Sequence, residues 1–119
     1  MTGVQIFGIK SSQATRAAQR FFKERRVAVH MVDLNERPLA RGESNRFIER
    51  FGLAALLDTA GKAYVEAGLA YMILSEAAML ERIGREPSLL RLPLVRGARI
   101  LSVGHDEEAW KAMSAVKQP

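Results

Sequence analysis

The chain has 119 residues, of which 48% are apolar and 26% are charged, and its formal net charge is +5. This length and composition predict one soluble globular domain. The sequence contains no cysteine, which excludes disulfides, thiolate-bound zinc, iron–sulfur clusters and a catalytic thiol within the chain.

Targeting signals and charge limit the choice of partner. No apolar run reaches the roughly 18–20 residues of a membrane-spanning helix, and the N-terminus lacks a secretory signal pattern. We therefore expect a cytoplasmic monomer without a membrane partner. Arginine dominates the basic residues, and its planar fork suits oxyanions, although the excess also fits an ordinary solvated surface. No basic run exceeds Lys23–Arg26, so nucleic acid is not an expected partner.

The first third of the chain predicts a strand, a helix and a second strand. Residues 4–7 alternate as a strand does, and a turn follows at Gly8. A helix is predicted from Ser11 or Ser12 to about residue 25, with an apolar face at helical spacing. The second strand is predicted over 27–34, where we expect His30 to be half-buried and not a ligand.

The rest of the chain predicts helices first, then a hairpin and a closing helix. The helical segments are 43–51, 53–57, 63–73 with a break near Gly68, and a helix that Ser75 caps and Gly84 ends. Met72 and Met79 are expected to pack inside this region. Strands over 92–95 and 99–103 flank a turn at 96–98. Asp106 is predicted to cap a last helix that runs to about Val116, with Trp110 and Met113 on its inner face.

This order of elements predicts the architecture. The succession β-α-β, helical insert, β-β-α is typical of an α/β protein with a thioredoxin-like fold. We expect a single domain over 1–119, with a core formed by 1–34 and 86–119 and an all-helical insert over 35–85.

Four segments over nearly the whole chain carry a family pattern. They are Phe7–Lys10 before the first helix, Asp33 with Pro38-Leu39, Leu56–Tyr64, and Pro87–Val95 with Val103–Trp110. Each is weak alone, but in this order and spacing they resemble the ArsC/Spx/YffB family of arsenate-reductase-like, thioredoxin-fold proteins. The resemblance implies that Pro93 is the cis-proline that faces the active-site turn.

The chain departs from this family at three positions of reductase chemistry. The family's nucleophilic cysteine aligns with Ser12, and the arginine before the cis-proline aligns with Leu92, with Arg91 one residue earlier. The family's loop arginine aligns with Ala60. Arsenate reduction by the family's route passes two electrons through sulfur, so we do not expect it here. We expect no cofactor, and a reductase would need external glutathione and glutaredoxin, or thioredoxin.

Ser12 is interpreted first as a helix cap, then as an anion contact, and least as a nucleophile. A nucleophilic serine needs an adjacent base, and His30 and His105 form no recognisable triad with it. A helix N-terminus offers free N–H groups and partial positive charge to an anion. We therefore predict an anion site, against the alternative of solvated surface charge, formed by Lys10, Ser11, Ser12, Arg16, Arg91 and Arg96. No spacing of ligands predicts a metal site.

Two functions follow, and whether the protein is an enzyme stays open. The first is an ArsC-like protein that binds arsenate, phosphate or a similar oxyanion at the helix start. The alternative is an Spx-like interaction module in transcription or stress regulation, with RNA polymerase as the partner that the resemblance implies and no redox switch. A large exposed apolar patch on the insert would favour the alternative.

Overall fold

A computed structural model describes residues 3–115. It divides into two compact units, the first formed by 3–33 and 92–115 and the second by 34–91. The elements in chain order are β1 (Gly3–Gly8), α1 (Gln13–Glu24), β2 (Ala28–Asp33), α2 (Arg41–Phe51), α3 (Leu53–Leu56), α4 (Lys62–Glu66), α5 (Glu76–Arg85), β3 (Leu94–Gly97), β4 (Ile100–Val103) and α6 (Glu107–Ala115), with short 3-10 helices at Leu69–Tyr71 and Pro87–Leu89. None of the helices within 3–115 is long and apolar enough to cross a membrane.

The first unit is a four-stranded mixed sheet with the strand order β2-β1-β3-β4. Strand β1 runs parallel to β2 and antiparallel to β3, and β3 runs antiparallel to β4. One face of the sheet packs against α1 and α6 because alternate strand residues point to that side. The core cluster there consists of Val4, Ile6, Ala18, Phe21, Phe22, Val95, Trp110 and Met113.

The second unit is helical. Its buried apolar side chains include Phe47, Leu56, Leu69, Met79 and Ile83. The hydroxyl of Ser75 accepts a hydrogen bond from the Ala78 N–H at 3.1 Å, so the predicted cap of α5 is present. The predicted α/β fold with a helical insert is therefore confirmed.

The chain passes from the helical unit back to the first unit later than predicted, after residue 91 and not after residue 85. Residues 86–91 belong to the helical unit, and not to the core, because backbone bonds tie them to it. The Asp58 N–H donates to the Leu89 carbonyl at 2.9 Å, and the Arg91 N–H donates to the Leu56 carbonyl at 2.8 Å. Leu34 also lies in this unit.

The ends of α2 and α5 are among those that differ from their predictions, and the predicted segment 63–73 is α4 followed by the 3-10 helix Leu69–Tyr71. Helix α2 begins at Arg41, not at 43, because the Glu43 carboxylate accepts the Ala40 N–H at 2.8 Å and so acts at the third helical position. Helix α5 continues through Gly84 to Arg85, and Pro87 then prevents its extension. The predicted end of the last helix near Val116 lies outside the described residues.

The hairpin turn is shorter than the predicted turn over 96–98 and begins two residues later, at Ala98. Ala98 and Arg99 both adopt positive φ, 51° and 65°, which are the angles of a two-residue hairpin turn. Gly97 belongs to β3 and pairs with Val4, and a Cβ at Gly97 would lie 2.6 Å from Val4 Cγ1. This glycine is therefore required by close strand packing and not by the turn.

Two side chains are more exposed than predicted: His30, expected to be half-buried, and Met72, expected to pack inside the helical region. His30 is exposed because β2 lies at the edge of the sheet. Met72 is 41% exposed, since the short 3-10 helix ends at Tyr71 and Met72 takes an extended conformation. Met79, Trp110 and Met113 are buried, as predicted.

Candidate anion site at the start of helix α1

The turn between β1 and α1 is closed by Ser12. Its backbone N–H donates to the Ile9 carbonyl at 3.1 Å, and its extended φ and ψ, −78° and 120°, are those of an N-cap. The Ser12 hydroxyl oxygen accepts a hydrogen bond from the Thr15 N–H at 3.1 Å. Ser12 is thus the N-cap of α1. Its hydroxyl oxygen accepts a hydrogen bond in the cap, and its hydroxyl group can also donate one.

The close approach of Gly8 and Thr15 fixes this turn. Thr15 is fully buried, and a Cβ at Gly8 would lie 2.6 Å from its Cγ2 and closer still to its hydroxyl. Any side chain at Gly8 would therefore displace the first turn of α1. The Thr15 hydroxyl has no hydrogen-bond partner among the described residues.

Four of the predicted anion-binding residues come together here. The Arg16 guanidinium donates to the Lys10 carbonyl at 2.7 Å, which folds its side chain back over the turn. Lys10, Ser11 and Arg16 are exposed, and Ser12 is half-buried. Lys10, Ser11, Ser12 and Arg16 therefore lie at one helix start, where the Arg16 guanidinium contacts the Lys10 backbone.

Two backbone donors face the same place. The first N–H groups of an α-helix have no partner within the helix. The Thr15 N–H is capped by Ser12 and the Arg16 N–H reaches the Ser12 carbonyl. No described residue accepts from the N–H groups of Gln13 and Ala14. These two groups are available to a ligand.

The charge of this helix start is unusual within the molecule. Among the described helices of eight or more residues, α1 has no acidic residue in its first turn, whereas α2, α5 and α6 each have one or two. An acidic side chain in the first turn offsets the positive end of the helix dipole. Helix α1 itself therefore supplies no carboxylate to offset its positive end, and Lys10 and Arg16 are the charged residues nearest to its start in the sequence.

Arg96 lies elsewhere in the first unit. Strand β3 runs antiparallel to β1, and Arg96 pairs with Gln5, three positions before Gly8. Three positions along a strand correspond to about 10 Å. The structure therefore does not group Arg96 with Lys10 and Ser12.

Arg91 lies in the helical unit. Its guanidinium donates to the Ala55 carbonyl at 3.4 Å, and its side chain is exposed. Its part in an anion site stays a prediction. The next peptide bond, between Leu92 and Pro93, is cis, and Pro93 is buried with its carbonyl bonded to the Gly104 N–H at 2.9 Å.

A groove beside the turn contains residues that the sequence analysis missed. Its volume is about 490 Å³, and it is lined by Gln13, Ala14, Arg16, Ala17, Arg20 and His105. The spacing of Arg16 and Arg20, one helical turn apart, could have indicated a shared face. His105 comes from the loop before α6, a placement that only the fold reveals.

His105 is engaged by a neighbouring carboxylate. Its Nε2 lies 2.9 Å from the Glu107 Oε2. This hydrogen bond lowers the pKa of Glu107 below its ordinary value, with smaller contributions from Lys111 and Arg25. Neither histidine forms a described contact with Ser12, so neither is placed to act as its general base. Within 3–115, no cluster of histidine, aspartate and glutamate could hold a metal ion.

The sheet order, the capped α1 and the cis-proline define a thioredoxin-like protein without cysteine. A family model described as the ArsC family matches residues 7–113. The chain belongs to the ArsC family, which confirms the resemblance.

Solved structures share the whole fold. A YffB protein is 25% identical, with a TM-score of 0.80 over 94% of this chain and 99% of its own. An arsenate reductase from Vibrio cholerae is 18% identical, with a TM-score of 0.78 over 94% and 98%. An ArsC-family related protein from Bacteroides fragilis is 18% identical, with a TM-score of 0.76 over 92% and 96%. The last two likenesses bear on the fold alone, and no curated protein matches the chain.

Proposed function

We propose that this protein binds an oxyanion such as arsenate or phosphate at the start of α1 and carries out no thiol-based reduction of its own. The observation that carries the proposal is a helix start without an acidic residue in its first turn, where Arg16 is held over the turn by the Lys10 carbonyl at 2.7 Å. Arginine and backbone N–H groups are the donors that proteins use for such anions.

The donors present are sufficient for measurable affinity. The N–H groups of Gln13 and Ala14, the Ser12 hydroxyl, and the side chains of Lys10 and Arg16 can each donate to a tetrahedral anion. Charge-assisted hydrogen bonds are worth roughly 1.5–3 kcal/mol each. After the costs of association and of ordering exposed side chains, three or four of them support micromolar to millimolar binding.

The lack of cysteine prevents reduction of a bound arsenate by the family's route, although it does not prevent binding. Converting arsenate to arsenite requires two electrons, which family reductases pass through a cysteine sulfur. Ser12 cannot form the mixed disulfide on this route, and the chain has no other sulfur nucleophile. Bound arsenate is therefore released without being reduced unless another protein supplies the thiol.

Calorimetric titration with arsenate and with phosphate tests the binding. We expect millimolar or tighter binding by the wild type, and a loss of five-fold or more in Lys10→Ala and in Arg16→Ala. Lys111→Ala, an exposed lysine on α6, is the matched control and should bind as the wild type does. The absence of binding at 10 mM anion, or equal binding by all variants, would overturn the proposal.

A reductase assay tests the chemistry. With arsenate and either thioredoxin or glutathione and glutaredoxin, we expect no turnover by the wild type. Ser12→Cys restores the missing sulfur, and activity in this variant alone would identify the sulfur as the missing element. Activity of the wild type would contradict the proposal.

A second candidate function is an Spx-like interaction module with RNA polymerase as its partner. One observation favours it: Tyr71 and Ile73 of the helical unit are 94% and 103% exposed, beside Met72 and the 62% exposed Val65. Exposed apolar side chains in a cluster are typical of interaction surfaces. Direct binding to purified RNA polymerase, lost in Tyr71→Ser and Ile73→Ser, would support it. No binding by the wild type would exclude this candidate.

A further inference from the structure

The edge strand β2 is open to pairing. Strand β2 lies at one end of the sheet order and pairs with β1 in continuous register from Ala28 to Asp33. It contains neither proline nor lysine, and the register contains no bulge. Natural sheets usually protect an edge by one of these devices. Among the described strands only β1 pairs with β2, so the outer backbone donors and acceptors of residues 28–32 have no strand partner.

A groove runs along this edge on the side of α1. Its volume is about 480 Å³, and it is lined by Gln19, Lys23, Arg26, Val27, Ala28, Val29 and Met31. The floor is apolar, since Val27, Val29 and Met31 are half-buried and pack against the core cluster. The charged residues of the rim, Lys23 and Arg26, are both basic and both exposed.

We infer that β2 accepts an extended segment of a partner protein as a fifth strand, with apolar side chains in the groove and a carboxylate at the end of the segment that lies beside Lys23 and Arg26. An added strand gains affinity from main-chain hydrogen bonds and specificity from alternate side chains. Every second side chain of that strand points to the α1 side. The apolar floor and the basic rim both lie on that side.

Charge favours an acidic partner over a second copy of this chain. A second copy would bring its own Lys23 and Arg26 to the same edge and thereby add like charge. The one carboxylate in β2, Asp33, is half-buried and already engaged in an interaction. The groove at β2 is separate from the start of α1. Peptide binding at the groove can therefore be confirmed or refuted independently of anion binding at α1.

A designed peptide tests the inference on the full chain. The heptapeptide Glu-Thr-Val-Thr-Val-Thr-Glu, acetylated and amidated, presents two valines and two terminal carboxylates on one face in either strand direction. We expect a dissociation constant below about 1 mM by titration of ¹⁵N-labelled protein, with the amide shifts concentrated in Ala28–Asp33. The same peptide with lysine in place of both glutamates should bind at least ten-fold more weakly.

Two further experiments distinguish strand addition from non-specific binding. A peptide N-methylated at every residue keeps its side chains but loses the backbone donors of both edges, and it should not bind. Lys23→Glu should weaken binding of the acidic peptide at least five-fold, whereas Lys111→Glu should leave it unchanged.

Four results would overturn the inference. They are no binding at 2 mM peptide, equal binding of the N-methylated peptide, a dimer of the wild type by light scattering that places β2 at its interface, and tighter binding of a ten-nucleotide oligothymidine than of the peptide.

Discussion

Two helices of this protein begin with the same serine cap but in opposite charge environments. Ser12 at α1 and Ser75 at α5 each accept the N–H three residues later at 3.1 Å. Helix α5 then places Glu76 in its first turn, whereas α1 has no acidic residue there. Helix α5 therefore offsets its own positive end, whereas α1 supplies no acidic residue to do so. The proposed anion site depends on this contrast between two helices that share the same cap.

The largest effect is expected at the contact that fixes the α1 turn. In Gly8→Val the new side chain would overlap Thr15, so we expect the free energy of unfolding to fall by about 2–3 kcal/mol. Gly42→Ala in α2 is the matched control, because nothing lies within 4 Å of its Cβ position. Alanine there should stabilise the protein by about 0.5–1 kcal/mol. Urea unfolding measures both, and a Gly8→Val protein as stable as the wild type would contradict the account.

Ser12 and Ser75 should contribute equally to the stability of the protein, but only Ser12 should contribute to phosphate binding. Ser12→Ala and Ser75→Ala each remove a cap, and each should lower the free energy of unfolding by about 1 kcal/mol. Only Ser12→Ala should also weaken phosphate binding, by five-fold or more. Unfolding curves and calorimetry measure the two effects. Equal loss of phosphate affinity in both variants would show that the contrast between α1 and α5 is not functional.

An acidic residue in the first turn of α1 should make it behave like α5. Gln13→Glu offsets the positive end of α1, and we expect a gain of about 0.3–1 kcal/mol in unfolding free energy together with at least ten-fold weaker phosphate binding. Glu76→Gln is the reciprocal change and should cost α5 a similar amount without affecting phosphate binding. A Gln13→Glu protein that binds phosphate normally would argue against the site.

The smallest effect concerns Glu107 at the start of α6. Its pKa is lowered by the hydrogen bond from His105, so its charged form contributes stability above its ordinary value of 4.5. That contribution is lost as the pH falls through the lowered pKa. An NMR titration should give a midpoint below 4.5, and His105→Gln should raise it. An unchanged midpoint in His105→Gln would contradict this cause.

Local signals in the sequence were sufficient for the cap of α1 and for the order of elements. Ser12 is a cap because of residues within one helical turn of it, and such contacts follow from sequence spacing. The hairpin register was wrong because Gly97 was assigned to a turn, whereas it is required by the close approach of Val4 from a distant strand. Single-sequence patterns do not contain that contact.

The candidate site was predicted in part for the same reason. Lys10, Ser11, Ser12 and Arg16 are neighbours in sequence, so their grouping could be inferred from the helix start. The place of Arg96, opposite Gln5 in the sheet, depends on the register of β3 against β1 and could not be inferred from the sequence. His105 was missed because only the fold brings the loop before α6 to the groove on α1.

The central claim is tested most directly by an NMR titration of the ¹⁵N-labelled protein with arsenate. We predict saturable amide shifts at residues 10–14, largest at Gln13 and Ala14, whose N–H groups have no partner among the described residues. Residues 75–78 at the start of α5 should remain unchanged. Shifts of equal size at both helix starts, or none at residues 10–14, would contradict the claim that the start of α1 is an anion site.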